Sequence, residues 1–159
     1  MGADRIRGRR GAAGYYDVMS VKDICRIGGP GTIAGFNIAE NAHLYLWTTN
    51  AFMEDAHVIA RHWGFTVRTI LTWVKPQIGM GHYFRNNTEH ALFAVRGRLD
   101  LKVKNQPTSF TAPRRRHSQK PDEFFQIVER CSPGPYVELF ARLPRENWKV
   151  WGNEVPAEC

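Results

Sequence analysis

The chain has 159 residues, and its 22 lysines and arginines outweigh 15 aspartates and glutamates, giving a formal net charge of +7. This length suits one domain with its own core, and a hydrophobic fraction of 43% is ordinary for a globular protein. No apolar run is long enough to span a membrane, no secretory signal begins the chain, and the three cysteines lack zinc or disulfide spacing. These features predict a cytoplasmic protein, and the basic excess favours a nucleic-acid partner over a merely basic surface.

The first part of the chain predicts two helices and one strand after a basic start. Residues 1–14 combine arginine with glycine and alanine, which predicts a flexible segment ahead of one domain over residues 15–159. Ser20 and Asp23 have capping-box spacing, so a short helix is expected to end near residue 28, followed by a loop over residues 28–35. An apolar strand over residues 42–49 precedes a helix that Gly64 ends.

The second half continues the alternation of strands and helices. Strands are predicted over residues 66–75, 90–95, 136–141 and 148–155, and a long basic loop over residues 99–119. Pro121 suits the first position of a helix whose apolar face repeats at helical spacing. Strands alternating with amphipathic helices predict an α/β fold with a largely parallel sheet and helices on both faces. Ligands of such folds bind at the carboxyl ends of the strands.

Two basic features are candidates for binding anions. Arg114, Arg115 and Arg116 form a run in the long loop, which favours phosphate contacts over a solvated face. Lys120 lies just before a predicted helix, where a carboxylate is favoured by both the lysine and the helix N-terminus, although a plain surface lysine fits equally. The six histidines have no paired ligand spacing, so no metal site is predicted.

Six motifs occur in a fixed order along the chain: HLYLWTTNAF, WGF, TWVKP, GMGHYFRNNTEHALFAVRG, HSQKPDEFFQIVERCSPGPYVELFARLPRENW and GNEV. With this ordered set, the chain closely resembles the adenine N(6)-methyltransferase family named after the large subunit of the mRNA (adenosine-N(6)) methyltransferase. Within that family it is similar to the prokaryotic and phage branch. The resemblance covers residues 15–155, and the ordered set is far more specific than any one motif.

The resemblance implies a Rossmann-like class I methyltransferase fold with permuted motif order, in which the cofactor strand comes late, here YVELFAR. It also implies S-adenosyl-L-methionine as the cofactor and no metal. By this similarity, a lysine meets the carboxylate end of the cofactor, and an Asn-Glu pair meets its ribose or adenine. The cofactor-binding residues implied are Lys120, Phe140, Arg142, Asn153 and Glu154.

The same resemblance implies a substrate side for nucleic acid, DNA more than RNA. Its residues are Lys75, Arg85, Asn86, Glu89 and His90, to which the basic run Arg114, Arg115 and Arg116 adds phosphate contacts. The alternative for the Glu-His pair is local: His90 starts a strand and Glu89 pairs with an arginine.

One family motif is missing. The catalytic tetrad of the family, Asp-Pro-Pro followed by an aromatic residue, ends a strand ahead of the region matched by residues 11–20, and no Asp-Pro-Pro occurs in the sequence. The resemblance therefore implies that the first strand is missing, so that its neighbours expose edges, and no catalytic residue is assigned. Three interpretations stay open: an N(6)-adenine methyltransferase whose sequence begins too late, a catalytically inactive nucleic-acid-binding subunit that partners a homologous methyltransferase, and a decayed, truncated fragment that folds poorly.

Overall fold

The computed structural model describes residues 19–80, 83–116 and 119–152, so the predicted flexible segment 1–14 lies outside the described residues. Within these ranges there are three α-helices: α1 (Val21–Arg26), α2 (Met53–His62) and α3 (Asp122–Cys131). The strands are β1 (Gly28–Gly29), β2 (Thr32–Ile33), β3 (Phe36–Asn37), β4 (Ala42–Thr48), β5 (Thr66–Val74), β6 (Thr88–Arg96), β7 (Ser109–Thr111), β8 (Tyr136–Leu139) and β9 (Trp148–Trp151).

The central sheet has the strand order β4-β6-β5-β7. Strand β6 is antiparallel to both β4 and β5, whereas β7 is parallel to β5, and β8 and β9 form a separate parallel pair. The largely parallel sheet predicted from the element order is therefore corrected to a mixed one. The helix α2 between β4 and β5 allows those two strands to run in the same direction, but no helix is described between β5 and β6, so β6 returns antiparallel.

Helices cover both faces of the sheet, as predicted. Successive residues of β4 point to opposite faces, so Tyr45 and Trp47 pack against the core around α3, while Leu44 and Leu46 pack against the core around α2. The α3 core includes Phe124, Phe125, Ile127, Val128 and Cys131 together with Leu71 and Ala91 of the sheet. The arrangement is that of an α/β domain with two apolar layers.

The small elements before β4 confirm one prediction and correct another. The Ser20 hydroxyl accepts a hydrogen bond from the Asp23 amide at 3.1 Å and donates one to its carboxylate at 2.6 Å, so the capping box is present. The loop predicted over residues 28–35 is wrong, because β1, β2 and β3 form a small antiparallel sheet there. A Cβ on Gly28 would lie 2.9 Å from the Trp63 indole nitrogen, so close packing needs the glycine.

The long loop before α3 contains a strand that the sequence did not predict. Strand β7 pairs with Thr72–Val74 of β5, and Phe110 at its centre packs on the α3 core. Pro121 is the N-cap of α3 rather than its first helical residue. Among the described strands, β4 pairs with β6 alone and β8 with β9 alone, so each keeps one edge without a partner there.

Candidate functional site

Three segments meet at one end of the central sheet. Lys75 directly follows β5, Glu89 and His90 lie at the start of the antiparallel β6, and Lys120 lies two residues before α3. Because β4 and β5 run in the same direction, their carboxyl ends both lie at this end of the sheet, which is where α/β folds bind ligands.

Lys75, Glu89 and Lys120 form a charged cluster at this edge, which we call the glutamate bridge. The Lys75 ammonium lies 2.5 Å from one carboxylate oxygen of Glu89, and the Lys120 ammonium lies 2.8 Å from the other. The three side chains are only 12%, 22% and 25% exposed, respectively. Charge-assisted hydrogen bonds in such a partly desolvated environment are stronger than those on a solvent-exposed surface.

The electrostatics of the bridge keep Glu89 ionised. Burial alone would raise the pKa of its carboxyl group, but the charges and hydrogen bonds of Lys120 and Lys75 outweigh burial, and the net pKa is lowered. The alternative of a local arginine partner for Glu89 is wrong, because both recorded partners are lysines. Two ammonium groups thus converge on one carboxylate and leave a net positive charge.

Both lysines rest on tryptophan rings. The Lys75 ammonium lies 4.7 Å from the ring centre of Trp73, the Lys120 ammonium lies 4.4 Å from that of Trp47, and the two indoles meet edge to face at 6.1 Å. Neither tryptophan was predicted from the sequence to contact a lysine. The spacing of Trp73 and Lys75 was a usable signal, since residues two apart share a strand face. Trp47 and Lys120 carry no such signal, because they meet only in the folded chain.

His90 forms a second polar contact beside the bridge. Its Nδ1 lies 3.0 Å from the Thr72 hydroxyl, and its Nε2 lies 2.7 Å from the amide oxygen of Asn50. Burial lowers the pKa of His90, and the Glu89 carboxylate opposes this only in part. A neutral imidazole that donates to Asn50 and accepts from Thr72 satisfies both contacts.

The predicted substrate-side residues divide into two contact groups. Arg114 donates to the Gln77 carbonyl at 3.4 Å, and the Asn86 carbonyl accepts from the Gly79 amide at 2.7 Å, so the loop after β5 contacts both. Arg115 instead forms an ion pair with Asp122 at 2.6 Å. Arg85, which contacts the Met80 sulfur at 3.4 Å, and Arg116 are exposed.

The predicted cofactor residues are only partly described. Phe140 follows β8 with a φ of +59°, is 46% exposed and packs edge to face on Trp151 at 5.3 Å. Arg142 is half-buried in the next turn. Asn153 and Glu154 lie outside the described residues.

The turn after β8 is fixed to the start of α3. Arg145 donates to the Asp122 carboxylate at 3.0 Å and lies 3.7 Å from the ring centre of Phe125. Asp122 is two residues from Lys120, so this contact places the turn beside the helix mouth. Sequence reasoning did not single out Arg145 or Asp122 for this role.

The described residues contain no cluster of three or more His, Cys, Asp or Glu side chains suited to a metal ion. No helix within residues 19–80, 83–116 and 119–152 has the length and apolar character needed to cross a membrane.

Comparisons with known proteins agree with the motifs. The family model described as MT-A70 matches residues 33–154. The chain is 26% identical over 145 residues to the type II methyltransferase M.MunI of a Mycoplasma species, a match that covers 89% of this chain and 60% of the relative. It is 31% identical over 136 residues to the human N(6)-adenosine-methyltransferase catalytic subunit METTL3, covering 74% of this chain and 22% of the relative.

A third relative is an N(6)-adenosine-methyltransferase MT-A70-like protein of Drosophila melanogaster. It is 30% identical over 158 residues, and the match covers 88% of this chain and 24% of the relative. The chain therefore spans less than two thirds of each of these three relatives, and less than a quarter of the two animal proteins.

Proposed function

The chain belongs to the MT-A70 family, and on that premise we propose that it uses S-adenosyl-L-methionine to methylate the exocyclic N(6) amine of adenine in nucleic acid, with DNA preferred to RNA. The observation that carries the proposal is the glutamate bridge, which joins the cofactor-side Lys120 to the substrate-side Lys75 through one carboxylate. DNA is preferred because the motifs resemble the prokaryotic and phage branch of the family, in line with the match to a methyltransferase of a Mycoplasma species over 89% of this chain.

The residues around Lys120 fit the amino-acid end of the cofactor. An ammonium group next to the first turn of α3 attracts a carboxylate, since unpaired amides of a helix N-terminus add to the charge. Lys120 is one-quarter exposed, so a ligand can reach it while it keeps its contact with Glu89. In this proposal, Phe140 and Arg142 lie along the cofactor, and Asn153 and Glu154 bind its sugar or base, in a Rossmann-like domain with permuted motif order.

On the substrate side, the exposed cations suit the phosphates and bases of nucleic acid. Arg114 and Asn86 contact the loop that follows Lys75, Arg85 contacts Met80 at the end of that loop, and Arg116 is exposed. His90, neutral and hydrogen-bonded on both nitrogens, orients Asn50 at the same edge rather than carrying charge. A homologous methyltransferase subunit as partner is part of the proposal, supported by the open edge of β4.

In the proposed reaction, the main task of the protein is to align the adenine amine with the methyl group of the cofactor. The cofactor supplies an electrophilic methyl group on a sulfonium, so the protein must hold the adenine amine in line with it at near-attack distance. The target base must also leave the stack or begin single-stranded. The 159 residues contain no Asp-Pro-Pro, the family motif that holds the adenine amine. Cofactor binding and methyl transfer therefore need separate tests.

Binding is tested by calorimetric titration of the full chain with S-adenosyl-L-methionine. We expect Lys120→Ala to weaken binding by about tenfold or more, the loss of one charge-assisted hydrogen bond, and Lys22→Ala, an exposed lysine of α1, to leave it unchanged. Equal affinity of the Lys120→Ala variant and the parent chain would remove Lys120 from the cofactor site.

Transfer is tested by following methyl incorporation into adenine-containing DNA and RNA of the same sequence. Faster incorporation into DNA supports the proposal, and faster incorporation into RNA contradicts the stated preference. Cofactor binding without any incorporation would instead support the inactive nucleic-acid-binding subunit.

A further inference from the structure

A basic groove lies along the start of β5, at the opposite end of that strand from the glutamate bridge. It has a volume of about 690 Å³ and lies between α2, the outer edge of β5 and the segment before β7. Its polar lining combines two arginines with a histidine and three threonine hydroxyl groups: His57, Arg61, Thr66, Arg68, Thr69 and Thr108.

The groove exists because the edge of β5 is only partly covered. Strand β7 pairs with Thr72–Val74, which leaves the first residues of β5 without a partner on that side among the described strands. The pairing with β6 also shifts between Val67 and Thr69, so Arg68 has no residue opposite it. A bulge of this kind turns a side chain out of the regular pleat, here a guanidinium towards the groove.

Within the described part of the chain, the arginines of the groove have no recorded counter-ion. His57 and Arg61 are four residues apart in α2 and so lie on one helix face. No Asp or Glu lines the groove, and neither Arg61 nor Arg68 takes part in an ion pair recorded within the described ranges. Both arginines are exposed. Unpaired guanidinium groups beside hydroxyl donors suit the oxygens of a phosphate.

We propose that this groove binds the sugar–phosphate backbone of the nucleic-acid substrate at a distance from the target adenine, an inference that rests on the proposed function. Arg68 and Lys75 are seven residues apart on one strand, roughly 20 Å at the rise of a β-strand. The run Arg114–Arg116 follows the parallel strand β7 and reaches the Lys75 end of the same edge through Gln77. The chain thus has cations at both ends of one sheet edge, spaced by about six nucleotides of a duplex strand.

An acidic peptide adding as a strand to β5 is the competing occupant. Addition of a peptide strand needs a regular strand edge. The bulge at Arg68 interrupts the edge of β5 where it lines the groove. A backbone of phosphates needs no regular register, and the net charge of +7 favours a polyanion. The groove therefore fits nucleic acid better than a peptide strand.

The test measures binding of a fluorescent DNA duplex of about 20 base pairs to the full chain over a series of salt concentrations. We expect the double variant Arg61→Ala with Arg68→Ala to weaken binding about tenfold at low salt and to reduce the slope of log K against log salt by about 2. The charge-keeping variant Arg61→Lys with Arg68→Lys should retain the parent slope. Arg98→Ala, an exposed arginine after β6, is the matched control and should also retain it.

Four outcomes separate the groove from the proposed function. A reduced slope in the alanine pair alone supports the groove. An unchanged slope in that pair, with salt-dependent binding by the parent chain, overturns the groove and leaves the proposed function standing. Absence of binding to both DNA and RNA by the parent chain overturns both. If the alanine pair loses affinity for a glutamate-rich peptide but keeps the DNA affinity of the parent chain, the groove binds a peptide and this inference is overturned.

Discussion

The ammonium of Lys120 lies 2.8 Å from a carboxylate oxygen of Glu89, although 31 residues separate them in the chain. The same carboxylate binds Lys75, so one side chain joins the end of β5, the start of β6 and the mouth of α3. A movement of the α3 mouth relative to the sheet would strain a charged contact, so Glu89 links Lys120 physically to Lys75.

Glu89→Gln should destabilise the protein by about 1–3 kcal/mol at neutral pH, because two partly buried ammonium groups lose their only recorded carboxylate. The native pKa of Glu89 lies below its ordinary value of 4.5, so the stability it contributes is complete above that pH and is lost as pH falls through the lowered pKa. The variant should lack this acid-dependent loss.

Urea unfolding at a series of pH values measures both effects. Glu54→Gln, an exposed glutamate in the first turn of α2, is the matched control and should change the free energy of unfolding by less than about 0.5 kcal/mol. An identical pH profile for Glu89→Gln and the parent chain would contradict the bridge.

His90 should titrate below its ordinary value of 6.5, because burial penalises the imidazolium. The Glu89 carboxylate raises the pKa, so Glu89→Gln should lower it further, a sign that burial alone does not predict. Between the lowered pKa and about 6.5, the unfolded chain binds more protons, so His90 makes stability rise with pH there. NMR titration of the imidazole resonances measures the shift; a higher pKa in the variant would exclude the charge interaction.

Sequence reasoning predicted the elements that local signals specify. Ser20 with Asp23 predicted a cap, Gly64 a helix end, and the apolar repeat of Phe124 to Cys131 a buried helix face, and all three are present. Sheet direction was not predictable in this way, because the antiparallel return of β6 depends on pairing between distant segments. Strand β7 was missed for the same reason. Its three residues place Phe110 between two polar side chains, and they form a strand only because they pair with β5.

The candidate site was predicted in part by the family resemblance and in part by spacing. The sequence singles out Lys75, Glu89 and Lys120, but it does not predict that both lysines contact the Glu89 carboxylate. The contact of Lys120 with Trp47 and that of Arg145 with Asp122 join segments far apart in sequence, so no local pattern encodes them. Asn153 and Glu154 stay predictions.

Gly152→Ala should destabilise the β8–β9 pair. A Cβ at this position would lie 2.4 Å from the Ala141 carbonyl oxygen and 2.8 Å from its amide nitrogen, so the backbone must move apart. Forcing a methyl group into such a contact costs about 1–3 kcal/mol. Gly29→Ala is the matched control, because nothing lies within 4 Å of the Cβ it would add. Thermal unfolding compares the two; equal melting temperatures would mean that the strand ends are not packed this closely.

Ser132→Ala should loosen α3 from the sheet. The Ser132 hydroxyl, which is buried after the last turn of α3, lies 2.8 Å from both the His43 imidazole and the Tyr45 hydroxyl on β4. Alanine leaves both groups without that partner, at a cost of about 1–3 kcal/mol, whereas Ser109→Ala at an exposed position should cost little. Chemical unfolding measures the difference.

The same variant has a spectroscopic signature at Tyr45. Burial raises the pKa of Tyr45 to about 12, and the hydrogen bond to Ser132 works against that increase. Removing the hydroxyl should therefore raise the pKa further, so the phenolate absorbance of Tyr45 should appear at a higher pH than in the parent chain. An unchanged tyrosine titration together with unchanged stability would show that Ser132 does not hold α3 against β4, and the placement of Lys120 would then depend on its contacts with Glu89 and Trp47 and on the apolar packing of α3.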